Sequence, residues 1–181
     1  MIRPPAPAWF RPTARRVHRS AERPADTADS RKVTAMKTVA QLVQSKPNRA
    51  VYSVAPDAPV LEAIKLMAQH RIGALLVMEA ERLVGIVTER DYARKVVLMG
   101  RSSSDTPVRD IMTASVLHVG PQQTNEHCMA LMTDNRLRHL PVVEDGKVAG
   151  MISIGDLVKD IISEQQFVIQ QLEHYISGEH R

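Results

Sequence analysis

Two pairs of side chains in this 181-residue chain have the types and spacing for binding chemistry: Thr88 with Asp91, and Ser153 with Asp156. Each pair closes a stretch of one form, GIVTERD at 85–91 and GMISIGD at 150–156: Gly, two apolar residues, a hydroxyl, two variable positions, Asp. A carboxylate accepts from the vicinal hydroxyls of a sugar, and a Thr or Ser hydroxyl both donates and accepts. In each stretch an apolar strand ends at the hydroxyl and a helix begins just after it. The free amides and the dipole of a helix N-terminus favour an anion there. Helix capping competes with this reading, since Ser or Thr at the cap and Asp in the first turn are also what a helix start needs. Both residue types recurring in both stretches favours a ligand site, because capping alone tolerates many substitutes.

Other groups with chemical potential lie nearby. Arg136, Arg138 and His139 are close enough in sequence to serve a phosphate. Arg90 and Arg94, one helical turn apart, can reach an anion or simply face solvent. For Arg71 a surface salt bridge is the simpler expectation. Seven histidines and Cys128 show no metal-ligand spacing, and the adjacent His127 and Cys128 of a helix point to different faces. No phosphate loop or dinucleotide fingerprint is present.

The elements that would hold these residues repeat. Residues 51–94 shifted by 65 onto 116–159 match at eleven of 44 positions, among them Arg71/Arg136, Gly85/Gly150 and Asp91/Asp156. Ordinary composition gives about three such matches. The first unit reads as a short helical turn over 38–43, a strand at VYSV (51–54), a helix from Pro59 to His70 stopped at Gly73, strands at 74–78 and 82–88 joined by a tight turn, and a helix over 89–99. The second reads as a helical turn at 108–112, a strand at VLHV (116–119), a helix over 122–135, strands at 138–143 and 147–153, and a helix from Gly155 to about Ile176. GRSSSDTP (100–107) is the linker. The fold class is α/β (α+β): two β-α-β-β-α units about a pseudo-two-fold axis, packed sheet to sheet, since neither unit alone covers its sheet. The expected boundaries are a disordered basic tail at 1–36, repeat one at 37–104, repeat two at 105–163 and a helical extension at 164–181.

Composition narrows the function classes. Residues 1–35 carry a net +5 and the rest of the chain −1, so the pI of 9.5 comes from the tail, and the body lacks the bulk charge to grip a polyanion. Aromatics make up 3% of the chain, which argues against stacking platforms for nucleic acid. No apolar run approaches the roughly 18 residues of a membrane span. The tail has three readings: a segment ahead of a true start at Met36, a transit peptide with five Arg and no acid in its first twenty residues, or a nucleic-acid arm, in falling order. One cysteine weakly fits a reducing compartment; the expected location is the cytoplasm, or an organelle if the tail is a transit peptide.

With these motifs in place, the stretch from about 38 to 162 resembles the cystathionine β-synthase (CBS) domain family, as a tandem pair. The resemblance rests on DIMT (110–113), the strand entries HRIGALLV (70–77) and RLRHLPVV (136–143), the two motifs above and the repeat order. It implies a non-catalytic regulatory module that binds adenosyl compounds (AMP, ADP, ATP, NAD or S-adenosylmethionine) in two clefts. It implies further that each cleft takes its hydroxyl and Asp from one repeat and its adenine contacts from the other. One cleft would join Ser153 and Asp156 to Ala50, Tyr52, Ile72, Gly73 and Ala74, with Arg138 and His139 toward the phosphates. The other would join Thr88 and Asp91 to Ser115, Leu117, Leu137, Arg138 and His139. Gly73-Ala74 in one cleft against Arg138-His139 in the other implies clefts of unequal charge. Pairs of this family commonly form homodimers, and an unidentified protein would read the ligand state. The apolar stripe of the last helix, Val158 to Ile176, packs back on the module, forms the dimer contact or docks a partner. A catalytic barrel, which some relatives add, needs about 250 residues. A ligand-free scaffold and a nucleotide-acting enzyme are the alternatives.

Overall fold

The computed structural model describes residues 37–177. The readings of the basic tail lie outside these residues. Within them the elements run α1 (Val39–Ser45), β1 (Ser53–Val54), α2 (Val60–His70), β2 (Ala74–Glu79), β3 (Arg82–Thr88), α3 (Glu89–Tyr92), α4 (Asn125–Asp134), β4 (His139–Glu144), β5 (Lys147–Ser153) and α5 (Ile154–Ile176). The α+β class follows directly.

The repeat is visible in the sheet registers. β2 pairs antiparallel with β3, and β4 with β5; the register slips between Val77 and Met78 in the first pair and between Val142 and Val143 in the second, the same place 65 residues on. Each α2- or α4-type helix is followed by an Arg with positive φ, Arg71 at 54° and Arg136 at 53°. Arg71 is thus the left-handed cap of α2, with its N–H on the Ala68 and Met67 carbonyls. The helix stops there, two residues before Gly73.

The other departures from the sequence expectation are local. VYSV contributes only Ser53–Val54 to the first sheet, parallel to β2. VLHV forms no strand; it makes a single parallel bridge, Val119 to Val142. The helix expected over 89–99 is four α-helical residues followed by a π-helical turn, Ala93–Val97. Its counterpart, α5, is α-helical throughout. The expected helical turn at 108–112 is a short 3-10 turn, Val108–Asp110.

The two hydrophobic cores do not follow chain order. The first gathers Val54, Val60, Ala63, Met67, Leu75, Val77, Val87 and Val96, and with them Val108 and Ile111 from beyond the linker. The second gathers Val119, Cys128, Met132, Leu140, Val142, Ile152 and Leu157, and with them Val39 and Leu42 of α1. Each unit therefore lends its first segment to the other. The packing boundary differs in this respect from a cut near residue 104. α1 is fixed by a reciprocal cap between Thr38 and Gln41, and its amides at Val39 and Ala40 donate to the carbonyls of Gln123 and Pro121. Ile86 and Thr113 exchange backbone hydrogen bonds of 3.1 and 2.9 Å, which seats the other exchanged segment.

This exchange explains the glycine of the repeated motif. A Cβ on Gly150 would lie 3.0 Å from Val43 Cγ1 of α1; one on Gly85 would lie 2.5 Å from the Met112 sulfur. Each glycine is the notch that receives the exchanged segment. Val43 is β-branched and held in a helix, whereas the Met112 thioether can swing aside. Gly150→Ala is therefore expected to cost about 1–3 kcal/mol as overpacking, and Gly85→Ala less. Urea titration checks this, and equal midpoints for Gly150→Ala and the unsubstituted chain would contradict it.

Candidate functional site

The ends of β3 and β5 carry the two candidate pairs into two clefts between the repeats. Thr88 caps α3 and Ser153 caps α5, and both form reciprocal caps with the Asp three residues on. Thr88 Oγ1 donates to Asp91 Oδ2 at 2.6 Å and accepts from the Asp91 amide at 3.2 Å. Ser153 Oγ donates to Asp156 Oδ2 at 2.7 Å and accepts from the Asp156 amide at 3.3 Å. The capping reading of the motif is thus realised in both copies, and the same side chains also line the clefts. The amides at the helix starts are largely taken as well. Glu89 N–H donates to the Gly73 carbonyl at 3.2 Å and Ile154 N–H to the Arg138 carbonyl at 2.9 Å. An anion at either helix start meets fewer free amides than the sequence suggests.

The first cleft, about 620 Å³, joins Ser153 and Asp156 of the second repeat to Ala50, Tyr52, Ile72 and Gly73 of the first, with His139 at its edge. Ala74 is not on its wall; the residue opens β2 and is wholly buried. Arg138 does not reach this cleft and lines the other one. Tyr52 stacks on His70, ring centroids 3.9 Å apart, which fixes an aromatic face at the cleft. Four cations line this cleft: Lys37, Lys46, Arg71 and Lys159. Arg71 is a cleft residue and forms no ion pair among the described residues, contrary to the surface salt bridge expected for it.

The second cleft, about 710 Å³, joins Thr88 and Asp91 to Ser115, Leu117, Leu137, Arg138 and His139 of the second repeat. Arg90, Arg94 and Arg136 line it too, and Arg90 donates to the Arg136 carbonyl at 3.1 Å. Four arginines here face two acids, Glu89 and Asp91; four cations in the first cleft face Asp156 and Asp160. The expected inequality of charge is therefore absent. What differs is the kind of cation. Arginine forks suit bidentate anions, and lysines act as point charges. Gly73 and His139 line both clefts and form their shared edge.

Lys46 and Lys37 had no place in the sequence reading, because both flank α1, which precedes the first repeat but packs with the second. Lys46 Nζ lies 2.8 Å from Asp156 Oδ2, and Lys37 Nζ lies 2.6 Å from Asp160 Oδ1. The notch at Gly150 is the sequence signal that could have found them. Asp160 is buried and also accepts from Asn125 Nδ2 at 3.0 Å, while Asn125 Oδ1 has no partner. Among the described residues no group of three or more His, Cys, Asp or Glu side chains converges for a metal.

Two titrations at the first cleft are displaced. Burial alone would raise the Asp156 carboxyl. Hydrogen bonds from Lys46 and from the Ser153 hydroxyl and amide, with the Lys46 charge, outweigh it and hold the carboxyl below its ordinary value. Burial lowers the His139 imidazole, the Asp156 charge opposes, and Lys46 and Arg138 add to the lowering. A folded pKa below the unfolded one means the unfolded chain binds more protons, so stability rises with pH between the two values. The His139 contribution is full above the ordinary value of 6.5 and is lost as pH falls through the lowered folded value. Melting temperature is expected to drop more between pH 7 and pH 5 in the unsubstituted chain than in His139→Gln. Equal slopes in the two proteins would contradict this.

With the geometry established, the chain can be placed among known proteins. It matches the CBS domain family twice, over residues 39–98 and 108–163, and it belongs to that family. It is 43% identical over 149 residues to the mitochondrial CBS domain-containing protein CBSX3 of Arabidopsis thaliana, covering 78% of this chain and 72% of that one. A solved protein with CBS domains from Burkholderia ambifaria is 56% identical, covers 71% of this chain and 96% of its own, and superposes with a TM-score of 0.69. The CBS domain pair of protein MJ0100, solved with 5′-methylthioadenosine and S-adenosyl-L-methionine, is 21% identical, covers 71% and 98% of the two chains, and superposes with a TM-score of 0.64. At that identity it carries the fold.

Proposed function

We propose that this chain is a non-catalytic sensor that binds adenosyl compounds in its two clefts and passes the bound state to a partner. One observation carries this reading: each cleft sets a hydroxyl–carboxylate pair at a helix start of one repeat against a wall of the other, with Ala50, Tyr52 and Ile72 in the first cleft and Ser115, Leu117 and Leu137 in the second. Such a cleft offers acceptors for a ribose, an apolar slot for a base, and cations for a 5′ anion. Ligand in either cleft touches both repeats and so biases their arrangement. The phosphate-bearing candidates are AMP, ADP, ATP and NAD; S-adenosylmethionine is the remaining one. The binding of adenosyl compounds by the MJ0100 pair agrees with this class.

A homodimer is part of the reading. Most of the stripe on α5 stays uncovered: Ile161 is half-buried, but Val158, Ile162, Ile169, Leu172 and Tyr175 are exposed. Val97, the counterpart of Ile162 in the first repeat, is exposed with Leu98 and Met99 beside it. These apolar faces suit a second copy. Among the described residues no helix is long and apolar enough to cross a membrane. The mitochondrial relative supports the organellar alternative over the cytoplasm for the chain's location.

Melting temperature in the presence of AMP, ATP, NAD and S-adenosylmethionine tests the function. At 100 times its dissociation constant a ligand is expected to stabilise the chain by about 2.7 kcal/mol. The shift should be selective and should shrink in Asp91→Ala or Asp156→Ala. No shift with any of the four would favour a ligand-free scaffold, and turnover of a nucleotide abolished by either substitution would favour an enzyme.

A further inference from the structure

Lys46 ends α1 and reaches across to the other repeat. Its ammonium donates to Asp156 Oδ2 at 2.8 Å and to the Met151 carbonyl at 3.0 Å. Both side chains of the ion pair keep 23% of their exposure, so neither charge is well hydrated. Asp156 Oδ2 also accepts from the Ser153 amide and hydroxyl, each at 2.7 Å. Three donors crowd one oxygen that has two lone pairs. A vicinal diol gripping the carboxylate through both oxygens must displace one of them. The two from Ser153 are set by the cap of α5. Lys46, on a four-carbon stem, is the donor that can move.

A displaced Lys46 would keep the Met151 carbonyl and lose its counter-charge. The other carboxylate of the cleft, Asp160, is already held by Lys37 at 2.6 Å and Asn125 at 3.0 Å. A half-buried ammonium without a counter-charge is costly. A negative group on the ligand itself removes that cost, and an uncharged or cationic group does not. The second cleft lacks this device. There Lys95 meets the other oxygen, Asp91 Oδ1, at 2.9 Å from one turn along the chain and donates to the Ile111 carbonyl, with its side chain 41% exposed. Unlike Lys46, Lys95 does not line its cleft, so it is not placed to pass to a ligand there.

We propose that Lys46 is a latch that passes from Asp156 to the ligand, so that the first cleft selects adenosine compounds bearing a phosphate at the ribose 5′ position over those with an uncharged or sulfonium group there. This inference rests on the reading that Asp156 receives the ribose.

Titration calorimetry with AMP and adenosine, which differ only in the phosphate, tests it. The full chain is used with Asp91→Asn to silence the second cleft. AMP is expected to bind at least about tenfold more tightly than adenosine, the scale of one charge-assisted hydrogen bond. Lys46→Met should narrow that ratio about tenfold without weakening adenosine, and Lys46→Arg should restore most of it. Equal weakening of both ligands by Lys46→Met would assign Lys46 a structural role and overturn the latch. AMP binding that Asp156→Asn abolishes, with an AMP-to-adenosine ratio untouched by Lys46→Met, would overturn the latch and leave the ribose reading standing. No binding of either ligand to the chain with Lys46 intact would overturn both.

Discussion

Residues 37–104 and 105–177, produced as separate chains, are each expected to be largely unfolded and to regain a cooperative transition only when mixed. The reason is the exchange of first segments between the cores. The fragment 37–104 would keep α1 without the core that buries Val39 and Leu42, and would lose Val108 and Ile111, which are wholly buried in its own. The fragment 105–177 would have the opposite deficit. Burying one such side chain is worth about 1.5–3 kcal/mol, so each core loses about 3–6 kcal/mol, against a total of roughly 5–15 kcal/mol for a typical domain. The notches at Gly85 and Gly150 would open to water as well. Far-UV circular dichroism and urea titration of each fragment and of the mixture measure this. A cooperative transition in 37–104 alone would contradict it.

The second large effect concerns the same motif in two settings. Asp156→Ala is expected to cost about 2–3 kcal/mol of stability without ligand, because the substitution strands the half-buried Lys46 and removes the acceptor that closes the cap of α5. Asp91→Ala is expected to cost about 1 kcal/mol, since its partner Lys95 is 41% exposed, keeps the Ile111 carbonyl, and mainly the cap is lost. Identical residues at identical repeat positions thus carry unequal loads. The difference comes from Lys46, which flanks α1, a segment that precedes the first repeat in sequence but packs with the second. Urea midpoints of the two variants at pH 7 settle the order, and equal losses would contradict the account. The Asp156 contribution has its own pH signature. Its carboxyl titrates below the ordinary value, so the contribution is present above that value and is lost as pH falls through the lowered folded one. The gap between the unsubstituted chain and Asp156→Ala should therefore close only in strong acid.

Much of the architecture was legible because its signals are local. The 65-residue shift, the alternation of apolar runs with turn residues, and the hydroxyl–Asp spacing at strand ends located β2 to β5 and both capping motifs. Thr88, Asp91, Ser153 and Asp156 fall in the expected clefts with walls from the opposite repeat. What failed depends on long-range packing. VLHV has the composition of a strand, but Val119 finds only Val142 to bridge. Ala74 lies beside Gly73 in sequence, yet it opens a strand and turns into the core. Arg138 is expected at both clefts and lines one. The charge of the first cleft is not set by neighbours in the chain. The lysines of the first cleft come from α1, across the fold, and from α5. The sequence offers no role for the glycine of the motif; its physical reason is the close approach of Val43 or Met112.

In the proposed function Asp156 and Asp91 receive the ribose of an adenosyl ligand in two clefts between the repeats. A crystal structure of the chain grown with AMP tests it most directly. The account predicts the ribose hydroxyls on the Asp156 carboxylate, with Lys46 moved from Asp156 to the phosphate, and an equivalent ribose on Asp91 with the phosphate among Arg90, Arg94, Arg136 and Arg138. AMP bound elsewhere on the chain, with the Lys46–Asp156 pair and both caps undisturbed, would contradict it.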